Sequence, residues 1–173
     1  MYMCASTRFL QDVNIKTAEA VTLIGTFVQE TDPALTSAQT AELRWLCESL
    51  ILTKPATASV LVHVRGRTVA RYGVMGPSSA VAADAPIVAK ALREGAASSS
   101  SSSKEVYLPA LQNLPGKVEF SYLPENCQTV LLLPILGGQA VVVVGGSQAR
   151  AYTPKDIAWI KGVCERAGAS LLA

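Results

Sequence analysis

Apolar residues recur along this chain with two different periods, and those periods divide it into helices and strands. Leu10, Val13, Thr17, Ala20, Val21, Ile24 and Val28 fall at three- and four-residue steps. That spacing predicts an amphipathic helix of about five turns. Thr31-Asp32-Pro33 ends it, because the residue before a proline avoids the helical region. A second helix is predicted over Ser37–Leu52, with Thr36 or Ser37 as cap and Leu43, Leu46, Cys47 and Leu50 as its buried stripe. Trp45 lies off that stripe. The pattern then shortens to strands: Ser59–Val64 and Thr68–Val74 flank Arg65-Gly66-Arg67 and predict a hairpin.

Gly76–Asp84 reads as a loop, and Pro86 opens a short helix to about Glu94, closed by Gly95. Ala96–Ser103 ends in six consecutive serines, which have nothing to build a core from, and is expected to be a disordered, dispensable insert. Lys104–Leu108 is a strand candidate, and Leu111–Asn126 is irregular around its prolines. Two unbroken apolar runs follow, Thr129–Leu136 and Gln139–Val144, split by Gly137-Gly138. A glycine pair there predicts a two-residue hairpin turn, and runs apolar on both sides predict strands buried on both faces. Pro134, which removes a ladder donor, is expected to sit at a bulge. The last helix begins after Thr153, with Pro154 at its first position, Asp156 in its first turn and Trp159 beside its apolar stripe.

The result is one α+β domain over residues 1–173, with an antiparallel sheet of about five or six strands flanked by amino-terminal helices and a carboxy-terminal helix. This order resembles a GAF-type domain. Half of the residues are hydrophobic and 16% are charged, which suits a large core or a surface partly covered by a partner. A formal net charge of +2 without a basic run gives no footprint for nucleic acid. No apolar run approaches the roughly 20 residues of a membrane span, and MYMCASTR does not read as a signal peptide. Four scattered cysteines form neither a zinc signature nor a dense disulfide framework, and a reducing compartment is the simplest reading.

Candidate chemistry is sparse. His63, the single histidine, would have to serve any triad or any haem ligation, yet no second ligand, nucleophile elbow or phosphate loop accompanies it, and a half-exposed strand histidine is the plainer expectation. Arg65, Arg67 and Arg71 cluster at the first hairpin, as a solvated turn or as a site for a carboxylate, a haem propionate or an acidic partner. Cys127 precedes the main hairpin and reads as buried sooner than reactive. Trp45 and Trp159 either close the core or anchor an interface. The residues alone describe a binding or scaffolding module without a catalytic set.

Three longer stretches resemble one family. ELRWLCESLILTKPATASVLVHVRGRTVARYG, LPGKVEFSYLPENCQTVLLLPI and VVVVGGSQARAYTPKDIAWI are similar to the CCB proteins, the cofactor-assembly factors of complex C. The fourth member of that family is the nearest in type, with the second as the close alternative. The resemblance implies a chloroplast factor on the stromal side of the thylakoid membrane. Such a factor would help attach haem covalently to cytochrome b6 during cytochrome b6f assembly, paired with a related subunit and acting on apocytochrome b6. It implies membrane anchoring by spans outside this sequence, no firmly bound cofactor, and haem as handled cargo. No catalytic residue is carried over. The alternative is a GAF-like domain that senses a small molecule in its pocket.

Overall fold

The computed structural model describes residues 18–82, 85–97 and 104–171. Its sheet is built from β1 (Thr26–Thr31), β2 (Thr57–Val64), β3 (Arg67–Met75), β4 (Val106–Leu108), β5 (Thr129–Ile135) and β6 (Ala140–Gly146). The six strands lie in the order β1-β3-β2-β6-β5-β4, every neighbouring pair antiparallel. Three helices pack on it: α1 (Ser37–Thr53), α2 (Pro86–Ala97) and α3 (Pro154–Leu171). This is the α+β layering that the sequence predicts. Among the described residues no helix is long and apolar enough to cross a membrane.

The central hairpin explains the layering. All seven residues of β5 and all seven of β6 are buried, so both faces must be covered. On one face Leu131, Leu133, Val142 and Val144 meet Leu43, Leu46 and Leu50 of α1 and Ile160, Cys164 and Ala167 of α3. On the other, Leu132, Val141 and Val143 meet Val88 and Ala91 of α2 and the 3-10 turns at Leu111–Asn113 and Pro115–Phe120. Glu119 of the second turn is buried and takes the Ile87 and Val88 N–H groups at 2.9 and 2.8 Å, so it satisfies donors that the first turn of α2 leaves open.

Four details depart from the sequence reading. Residues Thr26–Thr31 are an edge strand on β3, not the end of a helix, and 18–25 have no regular structure. The open edge of β3 offers Thr26–Thr31 a ladder of backbone partners, and tertiary pairing overrides the three-to-four-residue spacing there. The rest of that predicted helix lies outside the described residues, as do the six serines; Ala96 and Ala97 belong to α2. α2 also runs past Gly95, whose missing side chain makes room for Pro134: a Cβ would lie 2.6 Å from the proline's own.

Pro134 makes no bulge, since its pairing with Val141 keeps the register of β5 and β6. It lies beyond Leu132, where β4 stops, so β5 is an edge at that point and tolerates the lost donor. Finally, the turn is longer than two residues: Ile135 pairs with Ala140, so residues 136–139 connect the strands and both glycines lie within that loop. Leu136, Gly137 and Gly138 all take positive φ (57°, 60° and 77°), and Gly138 N–H bonds Ile135 O at 3.1 Å. Gly138 is needed for a second reason, because α2 passes close by: a Cβ there would fall 2.6 Å from Ala96 N.

Candidate functional site

Two surfaces hold the residues that the sequence singles out. The first is the outer side of α1 and α3. Both helices are firmly capped. Gln39 N–H donates to Thr36 Oγ1 (3.2 Å) while Thr36 N–H donates to Gln39 Oε1 (3.1 Å). At α3, Asp156 N–H donates to Thr153 Oγ1 (3.2 Å) and Thr153 N–H to Asp156 Oδ2 (2.9 Å). Lys54, at the end of α1, pairs with Asp156 at the start of α3. That hydrogen bond, with help from Thr153, lowers the Asp156 pKa to about 2.

The same Lys54 ammonium lies 5.3 Å from the centre of the Trp159 ring, and the Arg166 guanidinium lies 4.2 Å from that of Trp45. Going up α1 from Trp45 to Lys54 means going down α3 from Arg166 to Trp159, so the helices run antiparallel with a cation over an aromatic ring at each end of the seam. Trp45 is half-buried and packs against the core; Trp159 is 40% exposed. Leu52, seven residues after Trp45, points away from the α1 core stripe and is 80% exposed. Gly162 faces outward on α3 with nothing within 4 Å of where a Cβ would stand. The sequence analysis missed Lys54, Leu52, Gly162 and Arg166. An apolar Leu opposite a completed stripe and a mid-helix Gly were the available signals.

The second surface is the first hairpin. Its three arginines do not converge. Arg65 donates through Nε (3.0 Å) and Nη2 (2.7 Å) to Gln139 Oε1 of the neighbouring hairpin. Arg67 pairs with Asp32. Arg71 pairs with Glu30 at 2.9 Å and donates to Ser78 O at 3.1 Å. His63 is buried, 8% exposed, not half-exposed as expected, because its strand lies inside the sheet between β3 and β6. Burial lowers its pKa, and its Nδ1 has no hydrogen-bond partner. Cys127 is buried as expected; its thiol reaches Thr129 O (3.3 Å) and Gly146 O (3.5 Å), and burial pushes its pKa up to about 11. A thiol held protonated in this way is a poor nucleophile. Among the described residues no group of three or more His, Cys, Asp or Glu is placed to hold a metal ion.

Residues 1–167 match the profile of the CCB2/CCB4 family, the proteins of cofactor assembly of complex C. The chain belongs to that family. It is also 31% identical over 139 residues to the chloroplastic cofactor-assembly protein CCB4 of Arabidopsis thaliana. That match covers 79% of this chain and 46% of the relative, so this CCB chain spans about half the relative's length. In three dimensions it is similar to a type II free methionine-R-sulfoxide reductase from Thermoplasma acidophilum, with a TM-score of 0.61 over 76% of this chain and 90% of that one. At 11% identity the likeness is one of fold alone.

Proposed function

We propose that this CCB domain is a non-catalytic assembly module of the chloroplast. It helps covalent haem attachment to apocytochrome b6 during cytochrome b6f assembly, on the stromal side of the thylakoid membrane, as one half of a heterodimer with a related subunit. Family membership supports the assembly role, and the relative's name supports the compartment. The observation that carries the heterodimer is the outer side of α1 and α3. There Leu52 and Trp159 are exposed, and Gly162 leaves a gap that no described residue fills.

A glycine inside a helix costs roughly 0.5–1 kcal/mol relative to alanine. The domain's own packing gives no return for it, whereas a partner helix would use the space for close approach. Aromatic residues beside an apolar stripe are the usual anchors of such contacts. Haem, on this reading, is cargo handled at the complex. In the full-length protein, spans outside this sequence hold the domain at the membrane. Co-expression with the related subunit, followed by native mass measurement, tests the pairing. A one-to-one complex is expected, and recovery of the two domains only as separate species would refute it.

A further inference from the structure

We propose that the outer edge of β1 is a self-pairing surface. A second copy of this chain adds its own β1 there, antiparallel, with Gln29 opposite the partner's Gln29. β1 closes one side of the sheet, and among the described residues no strand lies beyond it.

The ladder shows which backbone groups are open. Asp32 N–H donates to Val69 O at 2.9 Å, and these two residues continue the register that runs from Thr26↔Met75 to Thr31↔Ala70. In an antiparallel ladder, hydrogen-bonded pairs alternate with pairs whose backbone groups point away. Val28 and Glu30 therefore spend theirs on Gly73 and Arg71, and Phe27, Gln29 and Thr31 turn theirs outward. Sheet edges are ordinarily blunted by lysine, proline, a bulge or brevity. β4, at the far side of the sheet, is only three residues long. β1 has six residues, TFVQET, with neither lysine nor proline and no shift of register.

Those open positions and the strand's one charge select the register. With Gln29 on a twofold axis, Phe27 meets the partner's Thr31, Gln29 meets the partner's Gln29, and Thr31 meets the partner's Phe27. All three outward residues then exchange both backbone hydrogen bonds. Sliding the copy by two residues in either direction leaves only two of the three paired. In one of those slides Glu30 lies directly opposite the partner's Glu30, and like charges so placed are destabilising. In the Gln29 register Glu30 faces the partner's Val28 instead, and its carboxylate is already paired with Arg71 at 2.9 Å. There is also room for the second strand. Val28 packs with the core on the α2 side, so Phe27, Gln29 and Thr31 face the α1 side of the sheet. α1 reaches β3, where Ile51 lies 3.3 Å from the place of a Cβ on Gly73, but Phe27 is 66% exposed. An added strand therefore meets no helix over β1 and covers part of that ring.

The test is sedimentation equilibrium of the whole 173-residue chain at concentrations up to about 1 mM. The mass should rise with concentration from one chain toward two. Gln29→Lys sets two ammonium groups face to face on the axis and should weaken association at least tenfold. Its Tm should stay within about 2 °C of the parent's, since Gln29 is exposed. Gln29→Pro removes an outward N–H that β3 does not use, a place where edge strands accept proline, and should weaken association as much. Leu52→Glu, on the outer side of α1, should leave self-association unchanged. Oxidation by diamide, which takes up the two thiol hydrogens as the S–S bond forms, reads the register directly. Gln29→Cys should cross-link to its own copy above the parent's background. Thr31→Cys, about 13 Å along the strand from its own copy, should not. A chain that stays monomeric over the whole range would overturn the proposal. So would a dimer that Leu52→Glu dissociates and Gln29→Lys does not, because it pairs through helices, and so would equal cross-linking of the two cysteine variants.

Discussion

Leu52→Glu separates a docking face from a merely solvated helix surface. Leu52 is 80% exposed in the domain, so only about a fifth of its side chain's burial value is at stake there. Full burial of a leucine is worth about 1.5–3 kcal/mol, which leaves about 0.3–0.6 kcal/mol for the isolated domain. Glutamate has nearly the helix propensity of leucine. At about 2–4 °C per kcal/mol for a domain of this size, Tm should fall by no more than about 1–2 °C. In a heterodimer that covers this face, the remaining four-fifths of the burial is lost, about 1.2–2.4 kcal/mol, and a charge is forced into an apolar contact. Association should weaken by at least 2 kcal/mol, roughly thirtyfold. Val118 gives a matched control: it is 79% exposed but stands in the 3-10 turn on the other side of the sheet, so Val118→Glu should leave association intact. Titration of the related subunit against both variants, with melting of each alone, is the assay. If Leu52→Glu binds within twofold of the parent, the α1–α3 face is not the interface.

Three further outcomes follow from the packing. Gly162→Ala should stabilise the isolated domain by about 0.5–1 kcal/mol, since nothing occupies the added methyl's place, yet weaken association severalfold where a partner helix packs there; unchanged association would remove Gly162 from the contact. Glu119→Ala leaves two N–H groups at the start of α2 without an acceptor and should cost about 2 kcal/mol, a Tm loss of about 4–8 °C; a loss under 1 °C by calorimetry would contradict the cap. Asp156, held at about 2 by Lys54 and Thr153, favours the fold above the ordinary carboxylate pKa of about 4, and that contribution is lost as pH falls from about 4 through about 2. Asp156→Asn should therefore flatten the dependence of Tm on pH over that range, and identical acid slopes in the two proteins would count against the pairing.

Most of the fold was legible because its periods are unambiguous. The runs TVLLLPI and AVVVVGG carry no polar residue except Thr129, and only strands covered on both faces satisfy that pattern. Thr36, Thr153 and Pro154 mark helix starts through local hydrogen bonds that any context would preserve. Where the reading failed, the deciding partner was remote. TFVQET fits the tail of a helical stripe as well as a strand, and the open edge of β3, some forty residues away, chose between them. Gly138 is a turn residue as it looked, with positive φ, but it also lets α2 pass, which is a fact about Ala96.

The candidate sites follow the same division. The sequence could name Trp45 and Trp159 as lying beside a stripe, because helical angle is a local property. It could not say that each would lie beneath a cation from the other helix, Arg166 and Lys54, because that depends on α1 and α3 running antiparallel. Those contacts change what the tryptophans can do. A ring with a cation on one side keeps only its other side and edge for a partner, and separating the cation carries a cost of its own. Trp45 is half-buried against the core with its ring under Arg166, while Trp159 and Leu52 supply the exposed apolar surface. The arginines show the converse. Their clustering in RGRTVAR is a sequence fact, but three separate partners, Gln139, Asp32 and Glu30, disperse them. Of the three, Arg71 keeps a buried donor without a partner, and it does so beside a bulge that no periodicity in the sequence announces.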